Sequence, residues 1–569
     1  GGNILNTYSA GVVDVVVNTI NGGQTNVGGL VGYLDSTGTL TDSFWDTAVT
    51  GQANSVGGGS GVVSGGAGGC YATNSCANGG IVDLTQMTTY ESGSPYISGA
   101  GWDFTTTWGI VNGISYPYLQ VFNPGGAPRY FYGVAPVGNI GQTVNLVING
   151  VVAYTTVVAA DNTFYFDIPN GDVADGTALL IYINNNNPTG NLVLTAPVAD
   201  GSMNGLSFAS NTINVGFGQN VILSNTDLVN IVGGLTGNSI LYSGLGADLI
   251  LGNAGASNVN FLLSPATSYI IDGNITNFAG TATTLTFNNV VTINNGVNVT
   301  ATNQTYNDQV ILAGNATLQS VGNGSIVLNG TLQGNANNLT LVGNSGGGTL
   351  FNVGGVINNL LNLVVMGNHA NDILYINTND QQLWNITATN TGNISGISGI
   401  INNVLFTNVA NLTGGSNDNT FAFADGSVIS GSIAGGSGGN NTLDYSAYSG
   451  AIKVTMQSNA SGNVKNNMNE NITGYFSQIA NIIANDQGIL QLPSQAKTIE
   501  INGAGIGFVN IPINFAGFNT FIGNNRDRVV FNVSPYTIDV ARGTATYNGF
   551  VMYFVGIPLG PNSADTANY

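Results

Sequence analysis

Residues 325–334 (SIVLNGTLQG) place a short apolar strand before an Asn-Gly corner and start a second strand directly after it. Residues 339–343 (LTLVG) and 360–365 (LLNLVV) repeat such strands. Apolar and β-branched residues favour strands, and Asn and Gly accept the positive φ angles of tight corners. Apolar strands that recur about every 10 to 20 residues are typical of stacked coils, so this pattern predicts a β-solenoid.

The composition limits what the chain can do. Its 569 residues include 84 glycines, but only 27 acidic and 7 basic side chains and one histidine, which gives a net charge of −20. A chain so poor in acids, bases and paired nucleophiles is poorly equipped for catalysis, so we expect no enzyme activity. Nucleic-acid binding requires a basic stripe, which the acidic balance excludes. No apolar run reaches the roughly 18 residues of a membrane-spanning helix.

The pattern of residues 325–334 continues over most of residues 209–569, for which we predict a long β-solenoid with a C-terminal cap. If each coil takes roughly 20 residues, Ile, Val, Leu and Phe fill the interior and Asn side chains form hydrogen-bonded ladders at the corners. The Asn-x-Ser/Thr matches, such as Asn315-Ala316-Thr317, then reflect composition rather than glycan sites. We expect no amphipathic helix or capping box among these coils.

Two other segments precede this solenoid. Residues 1–122 alternate short apolar strands with Gly-rich corners, which predicts a first solenoid block, and the aromatic stretch 101–119 is interpreted as its cap. Residues 123–128 (NPGGAP) are typical of a linker. Residues 123–208 carry period-two strands with hairpin-like turns, which predict a small antiparallel β-sandwich. The predicted fold class is therefore all-β, with parallel β-solenoid blocks separated by a β-sandwich.

Several segments resemble the GLUG repeat. Residues 4–13 (ILNTYSAGVV) are similar to its first half, residues 28–32 (GGLVG) to its second half, and residues 43–46 (SFWD) to the element that follows. GLUG arrays occur in exported bacterial proteins of the filamentous-haemagglutinin type, which are secreted by the two-partner route. Residues 161–166 (DNTFYF) resemble the Ig-like or carboxypeptidase-regulatory-like sandwich domains embedded in such proteins.

This resemblance implies a right-handed parallel β-helix, an extracellular or bacterial cell-surface location, and adhesive or scaffold roles. It also implies an outer-membrane secretion partner for a full-length chain of the two-partner type. The first residues read like the inside of a repeat. We therefore expect the chain to be a piece of a longer exported protein.

Four aspartates lie in Gly-rich turns similar to the Gly-Gly-x-Gly-x-Asp repeat of calcium-binding β-rolls. They are Asp418, Asp444, Asp248 and Asp372. Calcium takes six to eight oxygen ligands, which tandem turns supply when they face one another. Here the copies are isolated and Asn often replaces Asp, so occupied calcium sites and turns that have lost their metal both stay open. No other feature of the sequence requires a cofactor.

A basic cluster near the C-terminus is interpreted as a surface ion-pair group. It consists of Arg526, Asp527, Arg528, Asp539 and Arg542, and a polysaccharide-cleaving site is its alternative. The single His369 has no Ser and Asp at a triad spacing and is placed at a coil corner.

The remaining candidates lie in the sandwich, among the aromatic residues and in one loop. Asp161, Asp167, Asp172 and Asp175 are interpreted as turn residues, with a small cation site as the alternative. Tyr445, Tyr448, Tyr547, Tyr553 and Phe554 form either core packing or a sugar-binding or subunit-contact face. Cys70 and Cys76 are predicted to form a disulfide, which implies an oxidising compartment; two free thiols and half of a metal site are the alternatives.

Together these features favour a non-enzymatic extracellular structural or adhesive protein. We expect a stiff bacterial surface rod that acts as an adhesin or as a subunit of an extracellular filament. Its expected partners are copies of itself in a head-to-tail filament and surface or matrix glycans. The alternatives are a secreted β-helix enzyme that degrades polysaccharides and a passive carbohydrate-binding module.

Overall fold

The computed structural model describes residues 2–9, 13, 26–64, 81, 82, 102–112, 115–185, 189–197, 202–217, 221–253, 255–458, 460–534 and 536–559. The chain divides into two units. The first comprises Gly1–Ser268 and Asn277–Ala282, and the second comprises Tyr269–Thr276 and Thr283–Tyr569. The three domains predicted from the sequence, 1–122, 123–208 and 209–569, stay a prediction.

The first unit opens with three short parallel ladders. The strands are β1 Asn3–Leu5, β2 Tyr8–Ser9, β3 Val31–Leu34, β4 Thr39–Thr41, β5 Phe44–Asp46, β6 Val56–Gly59, β7 Val62–Ser64 and β8 Ile81–Val82, with helix α1 at Thr47–Thr50. Strands β1, β4 and β7 pair in parallel, as do β2, β5 and β8, and β3 with β6. Leu40, Phe44 and Trp45 are buried. Parallel ladders that recur along the chain are expected of solenoid coils.

The aromatic segment contacts elements on both sides of it. It contains β9 Trp108–Gly109, β10 Tyr118–Leu119 and a 3₁₀ helix at Gln120–Phe122. The Trp102 ring lies 4.6 Å from that of Trp108, and Trp102 Nε1 donates to the carbonyl oxygen of Asp42 at 2.9 Å. Tyr116 packs edge-on against Tyr165 at 5.2 Å. The predicted cap therefore packs against the first ladders and against the sandwich strands that follow.

The next strands form two sheets around one apolar core. They are β11 Arg129–Val134, β12 Thr143–Ile148, β13 Val151–Val157, β14 Thr163–Ile168, β15 Ala178–Asn184, β16 Asn191–Thr195 and β17 Met203–Ser207. One sheet has the order β14-β11-β17, and the other the order β13-β12-β15-β16. All pairs are antiparallel except β11 with β17. The shared core includes Phe131, Leu146, Phe166, Leu179 and Ile181.

The first unit then returns to parallel pairing, with one helix. Its further elements are β18 Thr212–Val215, β19 Val221–Ser224, α2 Asn225–Val232, β20 Tyr242–Leu245, β21 Asp248–Leu251 and β22 Asn258–Leu263. Strand β18 lies parallel to both β16 and β22. The expectation of no helix or capping box is wrong, because Ser224 Oγ accepts the Asp227 N–H at 3.2 Å and the Asp227 carboxylate accepts the Ser224 N–H at 2.8 Å. Asp in place of Glu or Gln hid this box in the sequence.

The remaining strands carry the long repeat. They are β23 Thr267–Ile271, β24 Ile275–Asn277, β25 Ala282–Phe287, β26 Val291–Ile293, β27 Asn298–Tyr306, β28 Val310–Leu312, β29 Ala316–Leu328, β30 Leu332–Gln333, β31 Asn338–Val342, β32 Thr349–Gly354, β33 Ile357–Asn358, β34 Asn362–Met366, β35 Ile373–Asn377, β36 Gln382–Ala388, β37 Thr391–Ser395, β38 Val404–Thr407, β39 Asn411–Thr413, β40 Asn419–Phe423, β41 Ile429–Ala434, β42 Thr442–Asp444, β43 Ile452–Ser458, β44 Ser461–Asn466, β45 Asn471–Ser477, β46 Asn481–Gln491, β47 Thr498–Gly503, β48 Ile506–Val509, β49 Ile513–Ile522, β50 Arg528–Phe531, β51 Tyr536–Asp539, β52 Thr544–Tyr547 and β53 Phe550–Val555.

Three parallel ladders run through the first part of the second unit, each with a buried apolar column. One column is Tyr269, Val291, Val310, Leu332 and Ile357, a second is Phe287, Tyr306, Leu328, Val353 and Ile376, and a third is Ile275, Val299, Leu318, Leu341 and Val365. We call each pass through the ladders a coil. The protein is thus all-β with long parallel ladders, as the sequence predicted, and fits the β-solenoid class.

Asparagine ladders occur at the corners, as predicted. Asn307 Nδ2 donates to Asn288 Oδ1 at 2.8 Å, and Asn329 Nδ2 donates to Asn307 Oδ1 at 3.0 Å. The three side chains belong to successive coils. Each amide can donate to one neighbour and accept from the other, so the ladder continues across coils without a change of residue type.

Antiparallel hairpins interrupt the coils after residue 380. They are formed by β36 to β38, β43 to β45, β47 to β49 and β51 to β53. The sequence pattern predicted parallel coils only. Asn390 and Asn548 have φ angles of 53° and 49°, which suit the tight turns of two of these hairpins. Asn and Gly residues that turn a coil corner and those that close a hairpin look alike in the sequence, which explains the difference.

Candidate functional site

The two predicted calcium ligands with the strongest motif, Asp418 and Asp444, make separate hydrogen bonds. Asp418 Oδ1 accepts the backbone N–H of Asn440 at 2.6 Å. Asp444 Oδ1 accepts the backbone N–H of Ser446 at 2.9 Å. Each carboxylate therefore accepts a hydrogen bond from a backbone N–H group, and the two carboxylates share no partner.

The other two predicted ligands differ from each other in exposure. Asp248 begins strand β21 and is exposed, whereas Asp372 is fully buried. Across the described parts of the chain, no three His, Cys, Asp or Glu side chains come together where they could hold a metal ion. Calcium binding stays a prediction.

Asp372 is held by three backbone donors. Its Oδ1 accepts the N–H of Thr349 at 2.6 Å, and its Oδ2 accepts those of Asn368 and His369 at 2.6 and 2.8 Å. Thr349 begins β32 and Asp372 immediately precedes β35, the parallel partner of β32. The carboxylate thus links its own turn to the preceding coil by charge-assisted hydrogen bonds. His369 Nδ1 accepts the N–H of Asn371 at 3.1 Å, so the histidine lies at the predicted corner.

Asp527 repeats this arrangement near the C-terminus. It is 3% exposed, its Oδ2 accepts the N–H of Asn524 at 2.7 Å, and its Oδ1 accepts that of Lys497 at 2.7 Å. The interpretation of Asp527 as part of a surface ion-pair group is therefore wrong, because its partners are backbone N–H groups. Within that group Arg542 pairs with Asp539, at 3.6 Å. A Gly-Asn pair three or four residues before the buried Asp marks both turns in the sequence.

Asn441 occupies the corresponding place in a Gly-rich turn. It is fully buried, and its Nδ2 lies 3.1 Å from the carbonyl oxygen of Gly438 and 3.0 Å from that of Gln478. The carbonyl oxygen of Gly436 is 3.4 Å away. Asn441 Oδ1 accepts the backbone N–H of Asn419, on the preceding coil, at 2.9 Å. One amide therefore contacts its own turn and the coils on both sides.

Asn419 has even more oxygen neighbours. Its buried Nδ2 lies 2.7 Å from the carbonyl oxygen of Asn417, 2.8 Å from that of Gly435, 3.1 Å from Asn441 Oδ1 and 3.4 Å from the carbonyl oxygen of Gly415. Its own Oδ1 is buried without a hydrogen-bond partner. Four oxygens around one NH₂ group make a pocket of negative potential of the kind that suits a cation. The amide nitrogen takes that position.

Asn419 and Asn441 were not predicted from the sequence, because the β-roll pattern pointed to the acidic residues Asp418 and Asp444 in the same turns. Adjacent residues at the start of a strand point to opposite faces. Asn440 is exposed and Asp418 is half-buried, whereas Asn419 and Asn441 are fully buried. Asp418 carries the carboxylate that the β-roll motif suggested. The alternation of burial along β40 and β42 was the signal that could have identified the inward residues.

A groove of about 330 Å³ lies at a corner of the second unit. It is lined by Gly355, Val356, Ile357, Asn377, Thr378, Asn379, Asp380 and Ser398. The Asp380 carboxylate accepts the Ser398 hydroxyl at 2.6 Å, and Val356 is 61% exposed. This lining offers hydrogen bonds beside an apolar surface, a combination that suits a polar ligand such as a sugar ring.

The four sandwich aspartates make unrelated contacts. Asp161 Oδ1 accepts the Thr163 N–H at 3.0 Å, as expected of a turn residue. Asp172 accepts the Tyr154 hydroxyl at 2.6 Å. Asp175 pairs with the buried Arg129.

The carboxyl of Asp167 has a raised pKa. Burial raises the pKa of Asp167 to about 6. Tyr130 is its partner across strands β11 and β14, and the negative charge of Asp167 adds to the burial that raises the pKa of the Tyr130 hydroxyl. The Asp167 carboxylate is therefore a group whose charge changes in mildly acidic solution.

Of the two interpretations of the aromatic residues, core packing holds around Tyr445. Tyr445 is fully buried, stacks on Phe423 at 4.4 Å and shares a hydrogen bond of 2.7 Å with Thr473. Tyr448 and Phe554 are buried too. Core packing therefore holds for these three residues, whereas Tyr547 is partly exposed and Tyr553 is 47% exposed. Cys70 and Cys76 lie outside the described residues, as do residues 10–12 of the first GLUG-like segment.

Comparisons with known proteins give one partial match. A region of 168 residues is 32% identical to Halomucin of Haloquadratum walsbyi (strain DSM 16790 / HBSQ001), which covers 28% of this chain and 2% of that protein. The chain therefore spans a small fraction of the length of the curated relative it matches. No family model matches the chain, and no solved structure matches it. Among the described residues, no helix is long and apolar enough to cross a membrane.

Proposed function

We propose that this chain is part of a non-enzymatic extracellular structural or adhesive protein. In this proposal it is a right-handed β-helix of the filamentous-haemagglutinin-like kind and serves as a stiff bacterial surface rod. It acts as an adhesin or as a subunit of an extracellular filament. Its partners are copies of itself and surface or matrix glycans.

The observation that carries the proposal is the set of three apolar columns in the second unit. Tyr269, Val291, Val310, Leu332 and Ile357 stack through successive coils of one ladder, all at most 4% exposed. Such stacking joins each coil to the next by a full row of backbone hydrogen bonds, which makes a stiff element. The polar corners between the ladders do not hold the coils together in this way, so they can bind a ligand. The groove at Asp380 is such a corner.

The GLUG-like segments support the proposed location and secretion. Residues 28–32 and 43–46 lie where β3 and β5 enter parallel ladders, so they occupy coil positions. The composition supports the non-enzymatic part of the proposal, because acids and bases are few and scattered. A polysaccharide-degrading enzyme would place two carboxylates at a defined separation across the bond that it cleaves.

A bead assay tests the adhesive role. Beads coated with the chain are passed over immobilised polysaccharides and extracellular-matrix glycans, and the fluid is assayed for new reducing ends and unsaturated uronates. We expect retention without product, and reduced retention for Asp380→Ala if the groove contributes. Release of shortened sugars would contradict the non-enzymatic proposal. Absence of retention on every surface would contradict the adhesive one.

A further inference from the structure

One of the three ladders in the second unit stops while the other two continue. Its last strands are β28, β30 and β33, whereas the other ladders run on through β38 and β39. In the coil that follows β33, the chain passes through residues 377–380 and then forms the hairpin of β36 and β37. The groove of about 330 Å³ is lined by β33 and by these residues. It therefore takes the place of the next strand of the ladder.

A β-strand from another chain does not fit this space. The N–H of Leu360 donates to the carbonyl oxygen of Gly399 at 2.9 Å, which holds the backbone at Gly399 against the end of β33. A Cβ at residue 399 would overlap the carbonyl oxygen of Ile357, so this close approach requires glycine. Because that carbonyl is covered, β33 cannot pair along its edge with an added strand. The groove suits a compact ligand instead.

Two polar groups of the groove have unused hydrogen-bonding capacity. Asp380 Oδ1 accepts the Ser398 hydroxyl at 2.6 Å, whereas Asp380 Oδ2 has no hydrogen-bond partner among the described residues. Asn377 lies at the exposed end of β35, and its side chain makes no hydrogen bond within the described part of the chain. The groove thus offers a charged acceptor and an amide that can both donate and accept.

Val356 adds apolar surface beside these polar groups, because its side chain is 61% exposed. Apolar surface with a few placed polar groups is typical of small-molecule sites, whose volumes are about 300–1,000 Å³. The groove lies near the lower end of that range. A sugar ring has C–H groups on its faces and hydroxyl groups at its edge, so it can contact Val356 and both polar groups together.

The charge around the groove selects among sugars. The sequence contains no lysine or arginine between Arg129 and Lys453, and no basic residue lines the groove. A uronate or a sulfated sugar would bring an anion beside the Asp380 carboxylate with no cation to balance it. An uncharged sugar can donate its hydroxyls to Asp380 Oδ2, in hydrogen bonds that the charge of the acceptor strengthens.

We propose that this groove binds an uncharged sugar segment of a glycan. Asp380 Oδ2 accepts its hydroxyl groups, the Asn377 amide makes the second polar contact, and Val356 packs against the ring. The proposal rests on the adhesive role proposed above and names the class of glycan that the chain recognises.

A calcium ion is the competing occupant of the carboxylate. Calcium takes six to eight oxygen ligands and generally several carboxylates. Asp380 is the one acidic residue among those that line the groove, and one of its two oxygens already accepts the Ser398 hydroxyl. The observations therefore favour the sugar.

Isothermal titration calorimetry of the full chain, in a chelator, tests the proposal. The uncharged probes are hexasaccharides of glucose, galactose, mannose and N-acetylglucosamine, and the charged probes are oligogalacturonate and oligoglucosamine. We expect at least one uncharged probe to bind more tightly than both charged probes. Asp380→Asn keeps the shape of the side chain but removes its charge, so we expect it to weaken that binding by roughly tenfold.

The matched control is Asp486→Asn. Asp486 is exposed, does not line the groove, and has a φ angle of 67°, which Asn also accepts. The substitution removes the same charge, so we expect the affinity to stay that of the wild type. Circular dichroism verifies the fold of both variants.

Four results would overturn the proposal. Tighter binding of oligogalacturonate or oligoglucosamine would refute the preference for an uncharged sugar. Equal affinity of wild type and Asp380→Asn would place the sugar elsewhere on the chain. Binding that appears only when calcium replaces the chelator would make the metal the occupant. Binding of none of the probes would refute the groove as a sugar site.

The bead assay separates these failures from a failure of the adhesive role. A chain that glycan-coated beads retain, but whose retention does not depend on Asp380, would keep the adhesive role and lose the groove. A chain that no bead retains and no probe binds would lose both.

Discussion

Asn441 Oδ1 accepts the backbone N–H of Asn419 at 2.9 Å, across 22 residues of chain and between two adjacent coils. The NH₂ groups of both side chains face turn carbonyl oxygens. In a calcium-binding turn, a carboxylate and a metal ion would provide the negative and positive groups. Here one neutral amide provides both the acceptor and the donor. We infer that these turns fold without a metal, while calcium at Asp418 and Asp444 remains a separate prediction.

The substitution Asn441→Asp tests this inference. It replaces the donor by a carboxylate beside the oxygens of Gly436, Gly438 and Gln478, so the buried charge has no donor on that side. We expect the free energy of unfolding to fall by about 3 kcal/mol in a chelator. Excess calcium is expected to return part of the loss, because the oxygen cluster then suits a cation. Chemical denaturation with and without calcium measures both effects.

The matched control is Asn440→Asp, at the exposed neighbouring position. It adds the same charge to solvent, so we expect a change within about 0.5 kcal/mol and no response to calcium. Equal stability of Asn441→Asp and wild type in chelator would contradict the role assigned to the amide.

Two of the sequence-predicted calcium ligands should differ in their effect on stability. Asp372→Ala leaves the three N–H groups of Thr349, Asn368 and His369 without their acceptor, so we expect a loss of about 3 kcal/mol. Asp418→Ala removes one contact at an exposed turn, and the expected loss is below about 1 kcal/mol. Thermal and chemical denaturation in chelator make the comparison. A larger loss of stability for Asp418→Ala than for Asp372→Ala would contradict the structural role assigned to the Asp372 carboxylate.

Asp167 should make the stability depend on pH in mildly acidic solution. Burial raises its pKa from 3.8 to about 6, so the folded state binds this proton more tightly than the unfolded state. The resulting stabilisation is complete below pH 3.8 and is lost as the pH rises through about 6. Wild type should therefore lose stability relative to Asp167→Asn over this window. The side chain keeps part of its surface in water, so the effect should be modest.

Asp103 provides a control of opposite sign. Hydrogen bonds from the Thr106 side chain and from the backbone N–H groups of Thr105 and Thr106 lower the pKa of this exposed carboxyl. Its contribution is present at neutral pH and is lost as the pH falls. The difference between wild type and Asp103→Asn should thus shrink on acidification. A difference between wild type and Asp167→Asn that does not vary with pH would contradict the shift assigned to Asp167.

Neighbouring positions on β36 test the inward and outward faces of the ladder. Trp384 is fully buried, stacks on Phe421 at 5.3 Å and donates through Nε1 to Gln382 Oε1 at 3.0 Å. Trp384→Ala is expected to lower the free energy of unfolding by about 4 kcal/mol. Leu383 is 40% exposed, and Leu383→Ala should cost less than about 1 kcal/mol. Similar losses at both positions would contradict the assigned register.

Much of the fold followed from the sequence because its determinants are local. The strand at residues 325–328 and its Asn-Gly corner predict a coil, and Asn307 and Asn329 form the expected ladder. The helix Asn225–Val232 escaped prediction because its apolar residues also suit a strand. Which Asn and Gly residues turn a coil corner and which close a hairpin depends on the neighbouring coils. The residues that decide between a corner and a hairpin are distant in the sequence.

The candidate site was less predictable for the same reason. The β-roll motif identified the right turns but favoured Asp418, whose neighbour Asn419 points inward. The partners of Asp372 and Asp527 include N–H groups on other coils, at Thr349 and Lys497. Such contacts arise only once the number of residues per coil is known.

Electron microscopy of the purified chain, with and without a calcium chelator, addresses the proposed structural role most directly. We predict regular filaments with an axial repeat near one subunit length in both conditions, because neutral amides fill the turns around Asn419 and Asn441. Filaments that dissolve in chelator would contradict the metal-independent turns and make Asp418 and Asp444 the leading contacts. Isolated particles in both conditions would contradict the filament and leave adhesion as the remaining role.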